Sequence, residues 1–290
     1  MTHVSIRNTA SQFGSIQVSW VAADDLDTVQ WPGPYLYEIE RRPDITGSTW
    51  QIAGSTNATS FVDSAEGLNT ESLAWHYRIA LRQQSSMQLI GRSIPASSVF
   101  LRLEPEDNAI RLRIQTQVPW NNFAFTVYRK SPGEALFDSI AQVKTDTFLD
   151  KGLANNIPYC YRIRAMGSYG DTAFPTAFLN FSQEVCAAAI DLQAPCSAVL
   201  MLQSSCDSIK NKLSWSFPPE CLEDIVQTRL WFKPTPEGTA LPLEEWADSL
   251  KNTYTHQGSV SIAGCYRIES VDSAGNTNQS HWVCADNCPE

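Results

Sequence analysis

The sequence predicts an all-β protein built as three tandem antiparallel sandwiches with no long helix. Three observations predict it. The tripeptide Tyr-Arg-Ile stands at residues 77–79, 161–163 and 266–268, spaced by about the length of one small β domain. The runs around it alternate apolar and polar residues, the period of a half-buried strand. Thr, Ser, Val and aromatic residues are plentiful while only 18% of the chain is charged, a composition of strands rather than helices.

The elements recur in one order. An alternating strand comes first: Ile16-x-Val18-x-Trp20, Ile110-x-Leu112-x-Ile114 and Leu213-x-Trp215-x-Phe217. A second strand follows and ends in a basic residue and a Pro- or Gly-bearing turn: YLYEIERRPDITG (35–47), FTVYRKSPG (125–133) and RLWFKPTPEG (229–238). A short run with a turn after it is third: TSFVDSAEGL (59–68), DTFLDKGL (146–153) and NTYTHQG (252–258). The Tyr-Arg-Ile strand is fourth. Tyr159, Tyr161, Ile163 and Ala165 fall on one of its faces. A last strand closes each unit, as in SQEVCAAA (182–189) and SHWVCAD (280–286). LEEWADSL (243–250) is long enough for only a turn or two of helix. Boundaries fall near 99–104 and 189–194, giving modules 1–100, 101–190 and 191–290. Neither linker is long or Gly/Ser-rich, so a semi-rigid rod is expected.

Charge and hydropathy exclude some classes. A net charge of −10 opposes nucleic acid and anionic membrane surfaces. No apolar run reaches transmembrane length, so membrane insertion is not expected. MTHVSIRNTASQFG at the start has no basic region, apolar stretch or cleavage site, which read literally is cytosolic. The cysteines contradict that. All eight lie from Cys160 onward, an even, clustered set suited to an oxidising compartment. Met1 is therefore read as an artificial or internal start, and the chain as part of a longer secreted protein.

The Trp of the early strand, the Leu153-x5-Tyr159 step with alternation after it, and the module length resemble fibronectin type III modules, which are immunoglobulin-like sandwiches. The resemblance covers nearly the whole chain. It implies a tyrosine corner at Tyr159, whose counterparts here are Trp75 and Gly264, and it has Ile114 where Trp is usual. Through that topology it also implies four disulfides. Cys160 at the start of one strand faces Cys186 near the end of its neighbour, and Cys265 faces Cys284 in the same way. Cys196 faces Cys221 and Cys206 faces Cys288 at opposite poles of the third module. His76 stands where Cys160 and Cys265 stand elsewhere and is expected to face the surface. A zinc site from Cys265, His281, Cys284 and Cys288 is the competing reading, weakened by the absence of any CxxC pair.

No nucleophile elbow, Walker loop, HExxH or dinucleotide fingerprint appears, no cofactor is called for, and no enzyme is expected. The acidic turn VDSAGN (271–276) has too few ligands for a calcium loop. Asp-(Ser/Thr) followed by a small or aliphatic residue recurs at Thr28, Ser64, Ser139, Thr172, Ser208, Ser249 and Ser273. The recurrence has two readings: repeated Asp-Ser turns in repeated modules, or a resemblance to the O-glycosylation signal of exported Bacteroidetes proteins. Asn57, Asn180 and Asn278 head loose N-glycan sequons. KPTPEG and CYRIESVDSAGN, with the closing Cys-x3-Cys-Pro, resemble the last module of Bacteroidetes surface proteins that carry a gliding-motility-associated, type IX secretion sorting domain. That resemblance implies an extracellular or outer-surface location. The expected function is a non-enzymatic stalk or adhesion segment. Its alternatives are a module binding glycan or protein through exposed loop Trp31, Trp50 and Trp120, against which stands the reading that these rings pack on the neighbouring module, and an accessory segment of a larger secreted enzyme.

Overall fold

The structure is a computed structural model and describes residues 1–171, 176–205, 209–247, 251–258 and 263–285. The described chain is all-β, in six sheets that form three sandwich-like units. The first sandwich holds β1 (His3–Asn8), β2 (Ser15–Ser19), β3 (Tyr35–Pro43), β4 (Gln51–Thr56), β5 (Ser60–Asp63), β6 (Trp75–Gln83), β7 (Leu89–Arg92) and β8 (Ala96–Ser97). The second holds β9 (Phe100–Glu106), β10 (Ala109–Gln115), β11 (Asn121–Lys130), β12 (Asp138–Val143), β13 (Thr147–Lys151), β14 (Pro158–Ser168), β15 (Phe178–Phe181) and β16 (Val185–Ala188). The third holds β17 (Val199–Ser205), β18 (Lys210–Ser216), β19 (Ile225–Lys233), β20 (Leu241–Trp246), β21 (Thr253–Gln257), β22 (Gly264–Asp272), β23 (Thr277–Gln279) and β24 (Val283–Ala285), with a 3-10 turn over Pro219–Cys221.

A strand's counterpart lies eight places further along. One sheet runs β1-β2-β5, then β9-β10-β13, then β17-β18-β21. The other runs β4-β3-β6-β7, then β12-β11-β14-β15, then β20-β19-β22-β23, with β8, β16 and β24 pairing β6, β14 and β22. Even the irregularities repeat. The ladder between the second strand and its edge neighbour slips at Ile39/Glu40, Val127/Tyr128 and Leu230/Trp231, which are equivalent positions. A bulge there sharpens the twist that lets the sheet close over its core.

Alternation builds the cores. Ile16, Val18 and Trp20 point inward onto Tyr77 and Ile79; Ile110, Leu112 and Ile114 meet Tyr161 and Ile163; Leu213 and Trp215 meet Tyr266 and Ile268. All three tyrosines are fully buried. At about 25 cal/mol per Å² of apolar area, burial of these faces is the main stabilising term in each sandwich.

By contact density the chain forms two compact units, Met1–Ile190 and Asp191–Glu290. Within the first, the short linker does not leave the two sandwiches touching only at their tips. The first strand β1 lies along β15: Val4 N donates to Asn180 Oδ1 (2.9 Å), Phe181 N to Ser5 Oγ (2.9 Å) and Glu184 N to Thr9 Oγ1 (2.9 Å). Trp120 and Phe178 of the second sandwich belong to the same apolar cluster as Val4 and Ile6 of the first.

Candidate functional site

The repeated tripeptide has an inward and an outward half. Inward, the Tyr77 hydroxyl donates to Asp63 Oδ2 (2.8 Å), and Arg41 reaches both oxygens of the same carboxylate (2.6 Å). Tyr161 donates to Asp150 Oδ2 (2.8 Å), and Arg129 contacts both Asp150 oxygens (3.1 and 2.9 Å). Register dictates the arrangement, since Arg41 lies opposite Tyr77 and Arg129 opposite Tyr161. The carboxylate comes from the other sheet, so each triad latches the two sheets together. Asp63 is 1% exposed, a burial that a carboxylate tolerates only when paired and hydrogen-bonded. Burial, reinforced by the neighbouring carboxylate, pushes the Tyr77 and Tyr161 hydroxyls far above their ordinary range.

The third sandwich fills the same places differently. Phe232 stands opposite Tyr266, and His256 takes the carboxylate position. The Tyr266 hydroxyl accepts from Asn211 Nδ2 (3.0 Å) and lies 2.7 Å from His256 Nδ1. Phe232 packs on both rings, with centroids 5.1 Å from His256 and 4.9 Å from Tyr266. Burial lowers the His256 pKa and raises that of Tyr266.

Outward, the Arg of each tripeptide lies over an aromatic ring: Arg78 over Trp50 (4.3 Å), Arg162 over Phe181 (4.4 Å) and Arg267 over Trp282 (4.6 Å). The rings come from different places, Trp50 just before β4, Phe181 at the end of β15 and Trp282 just before β24, so the contact is rebuilt each time rather than copied. Such a pair contributes on the order of 0.5–1 kcal/mol at a partly exposed site. In the first sandwich Arg42 also covers Trp50 (4.9 Å), and Glu40 is buried beneath Arg78 and Arg92. Trp50 is thus half-buried with two guanidinium partners. Trp31 is half-buried in a turn whose backbone is tied by Trp31 N to Asp27 O (2.8 Å) and by the Tyr35 hydroxyl to Trp31 O (2.6 Å).

Trp120 is not an exposed loop residue. It is 6% exposed and packs edge-on against Phe178 (5.7 Å) and Tyr169 (6.1 Å), with Nε1 donating to Asn122 Oδ1 (3.0 Å). Gly167 makes room for it, since a Cβ there would lie 2.4 Å from the indole. Pro119-Trp120-Asn121 reads as a loop because its burial depends on a second sandwich that no local pattern contains. His76 is corrected for the same reason. It is 4% exposed, lies opposite Ser97, and sits 3.4 Å from Asp44 Oδ1 at a polar cleft of about 460 Å³ shared with Thr116, Gln117 and Asp146 of the second sandwich.

Disulfides join Cys160 to Cys186 and Cys265 to Cys284, each directly opposite in register with Cα atoms 3.9 Å apart. A third joins Cys196 to Cys221 (5.8 Å). Cys206 and Cys288 lie outside the described residues. With Cys265 and Cys284 bonded to each other, the zinc set has lost two of its thiolates. Asp191, Asp224 and Asp272 each bring an oxygen within 4.8 Å of the others. Asp272, however, spends its oxygens on its own turn, accepting from Ala274 N (2.9 Å), Asn276 N (2.8 Å) and Asn276 Nδ2 (2.8 Å).

The expected tyrosine corner also varies by module. The Tyr159 hydroxyl accepts from Ala154 N (3.3 Å), whereas Trp75 Nε1 donates to Asn69 O (2.6 Å). Gly264 has φ +150°, and a Cβ there would lie 2.5 Å from both Lys233 O and the Phe232 ring. Thr28, Ser64, Ser139 and Ser273 are exposed. Asp27, Asp63 and Asp272 each accept the backbone N–H two residues on, an Asx turn that leaves the intervening hydroxyl outward. Thr172, Ser208 and Ser249 lie outside the described residues.

No family model and no curated protein matches this chain. Among solved structures it is similar to the chicken CNTN1 FN1-FN3 domains, with 14% identity, 97% of this chain and 96% of that one covered, and a TM-score of 0.30. The fold assignment rests on the thrice-repeated strand order rather than on that superposition.

Proposed function

We propose that this chain is a non-enzymatic extracellular segment, a stalk or adhesion array, of a bacterial surface or secreted protein. One observation carries the reading. The recurring polar constellations, Arg–Asp–Tyr inside the first two modules and Arg on an aromatic outside all three, are spent on one another and hold the sandwich together. A module whose repeated polar residues are structural serves by persisting and by spacing what it joins. The disulfides fit an oxidising compartment. The sequence resemblance of the third module supports a finer reading, a parent chain exported through type IX secretion and O-glycosylated at the outward hydroxyls of its Asp-Ser turns.

The test is a binding screen of the disulfide-intact chain on immobilised glycans and on whole cells, beside a Trp31→Ala variant. A stalk shows no saturable binding. Saturable binding abolished by Trp31→Ala turns the reading to a recognition module. Intact-mass and peptide analysis of the natively produced protein tests the finer reading, and unmodified Thr28, Ser64, Ser139 and Ser273 would sink the glycosylation part of it.

A further inference from the structure

The third sandwich places an imidazole where the first two place a carboxylate. Asp63 lies opposite Ile16, Asp150 opposite Ile110, and His256 opposite Asn211, so the strand position is the same in all three. In each, that side chain crosses between sheets to the hydroxyl of the Tyr-Arg-Ile tyrosine. We propose that His256 makes the inter-sheet latch of the third sandwich proton-operated: closed when the imidazole is neutral and loosened when it is protonated.

The hydrogen-bond inventory sets the mechanism. The Tyr266 oxygen accepts from Asn211 Nδ2, and in the closed latch as proposed its proton goes to His256 Nδ1, 2.7 Å away. That bond needs the Nδ1 lone pair. Protonation fills the lone pair and sets an N–H against an O–H, and the hydroxyl must turn its proton away. Among the described residues no carboxylate forms an ion pair with His256, and burial is what shifts its pKa. The groups packed around His256 are Phe232 on β19 and Tyr266 on β22. Facing it from β18 is Asn211, flanked by Lys210 and Lys212, and on its own strand stand Thr255 and Gln257, with Tyr254 inward and near Glu244. Both lysines alternate to the face of β18 opposite Asn211, so what opposes the charge is burial, which lowers the imidazole pKa. A base held below its unfolded value contributes stability that is complete above about pH 6.5 and is lost as pH falls from there toward the folded pKa. The other two latches contain no imidazole, the side chain that titrates in this range. His3 and His76 are also lowered by burial, but they lie at the contact between the first two sandwiches. A global melt therefore mixes their effect with that of His256, and the readout must be local.

Hydrogen exchange followed by mass spectrometry on the whole disulfide-intact chain gives that readout. Between pH 7.5 and 5.5, after correction for intrinsic rates, protection of β21 and β22 is expected to fall by up to about tenfold, with β5, β6, β13 and β14 changing less. His256→Gln keeps an acceptor for Tyr266 and does not titrate, so the local loss disappears. Phe232→Arg with His256→Asp rebuilds the arginine–carboxylate latch and also removes it. Retention of the loss in His256→Gln, or an equal loss at the other two latches, overturns the proposal. Should either variant fail to fold, an NMR titration of the unaltered chain decides, and a His256 imidazole titrating at or above 6.5 overturns it.

Discussion

The first two sandwiches and the third share a strand order down to the bulge, yet they are held shut by different chemistry. The first two rely on a charged latch, Arg41–Asp63–Tyr77 and Arg129–Asp150–Tyr161, and on each other, since β1 and β15 bury Trp120 and Phe178 between them. The third has a neutral latch of His256, Tyr266 and Asn211 and carries two of the described disulfides, Cys196–Cys221 and Cys265–Cys284. A sandwich of about 100 residues has a modest core and needs reinforcement from somewhere. The first unit obtains it by lateral packing and buried ion pairs beside one disulfide, Cys160–Cys186, and the second leans on its two disulfides. The topology specifies that something must join the sheets behind the tyrosine; it does not specify what.

The largest expected effects test the latches directly. Asp63→Ala leaves Arg41 and Tyr77 facing a buried gap and is expected to cost about 3–5 kcal/mol. His256→Ala removes a neutral partner and is expected to cost about 1–2 kcal/mol. Urea unfolding, with the two units resolved by local probes, measures both. Equal costs would show that the charge on the first latch is immaterial and would break the comparison. Replacing Cys265 and Cys284 together by Ser is expected to cost about 2–4 kcal/mol in the second unit and nothing in the first. A smaller loss would mean that the sheet pairing already holds β22 to β24 unaided.

The next effect is steric. Gly264→Ala puts a Cβ 2.5 Å from the Phe232 ring and from a backbone oxygen, at a φ that favours glycine. The expected loss is about 1–3 kcal/mol, read by the same unfolding curves. The equivalent residues in the other modules are Trp75 and Tyr159, so the third module has given up its corner side chain to admit the Phe232 ring, which in turn stands where the others have arginine. The three departures from the common pattern, Gly264, Phe232 and His256, are one linked change.

That linkage also marks what the sequence made legible. Strand order and core faces follow from period-two alternation, and cysteine positions became pairs once a topology was supplied. The latch partners were visible but unread: aligning SFVD (Ser60–Asp63) and TFLD (147–150) with TYTH (253–256) puts Asp, Asp and His in one column. They were missed because a latch joins residues of different sheets, a relation that no one-strand pattern encodes. His76 lay further out of reach, because what covers it is a neighbouring sandwich, whereas for Trp120 packing on a neighbouring module is one of the two readings the sequence leaves open. Their local sequences, a Pro-Trp-Asn turn and an outward strand position, are those of exposed residues.

The smallest effect concerns the outward half of the tripeptide. Arg78→Ala removes the stack on Trp50 and one of the two guanidiniums over Glu40, leaving Arg92 in place. The expected cost is about 1 kcal/mol at neutral pH. Its pH dependence separates the two contributions. Burial works to raise the Glu40 pKa, but the bonds from Arg92 and Arg78 outweigh it and hold the carboxyl below its ordinary value of 4.5. A carboxylate held low contributes stability that is present above that value and is lost as pH falls through the folded pKa. If the ion pair matters, the gap between the unaltered chain and Arg78→Ala narrows as pH falls below about 4.5. If the gap stays constant with pH, the arginine acts through its stack alone. The recurrence of Arg over Trp50, Phe181 and Trp282, with an ion pair made by Arg78 and, among the described residues, by neither Arg162 nor Arg267, favours a stack that outlasts the ion pair.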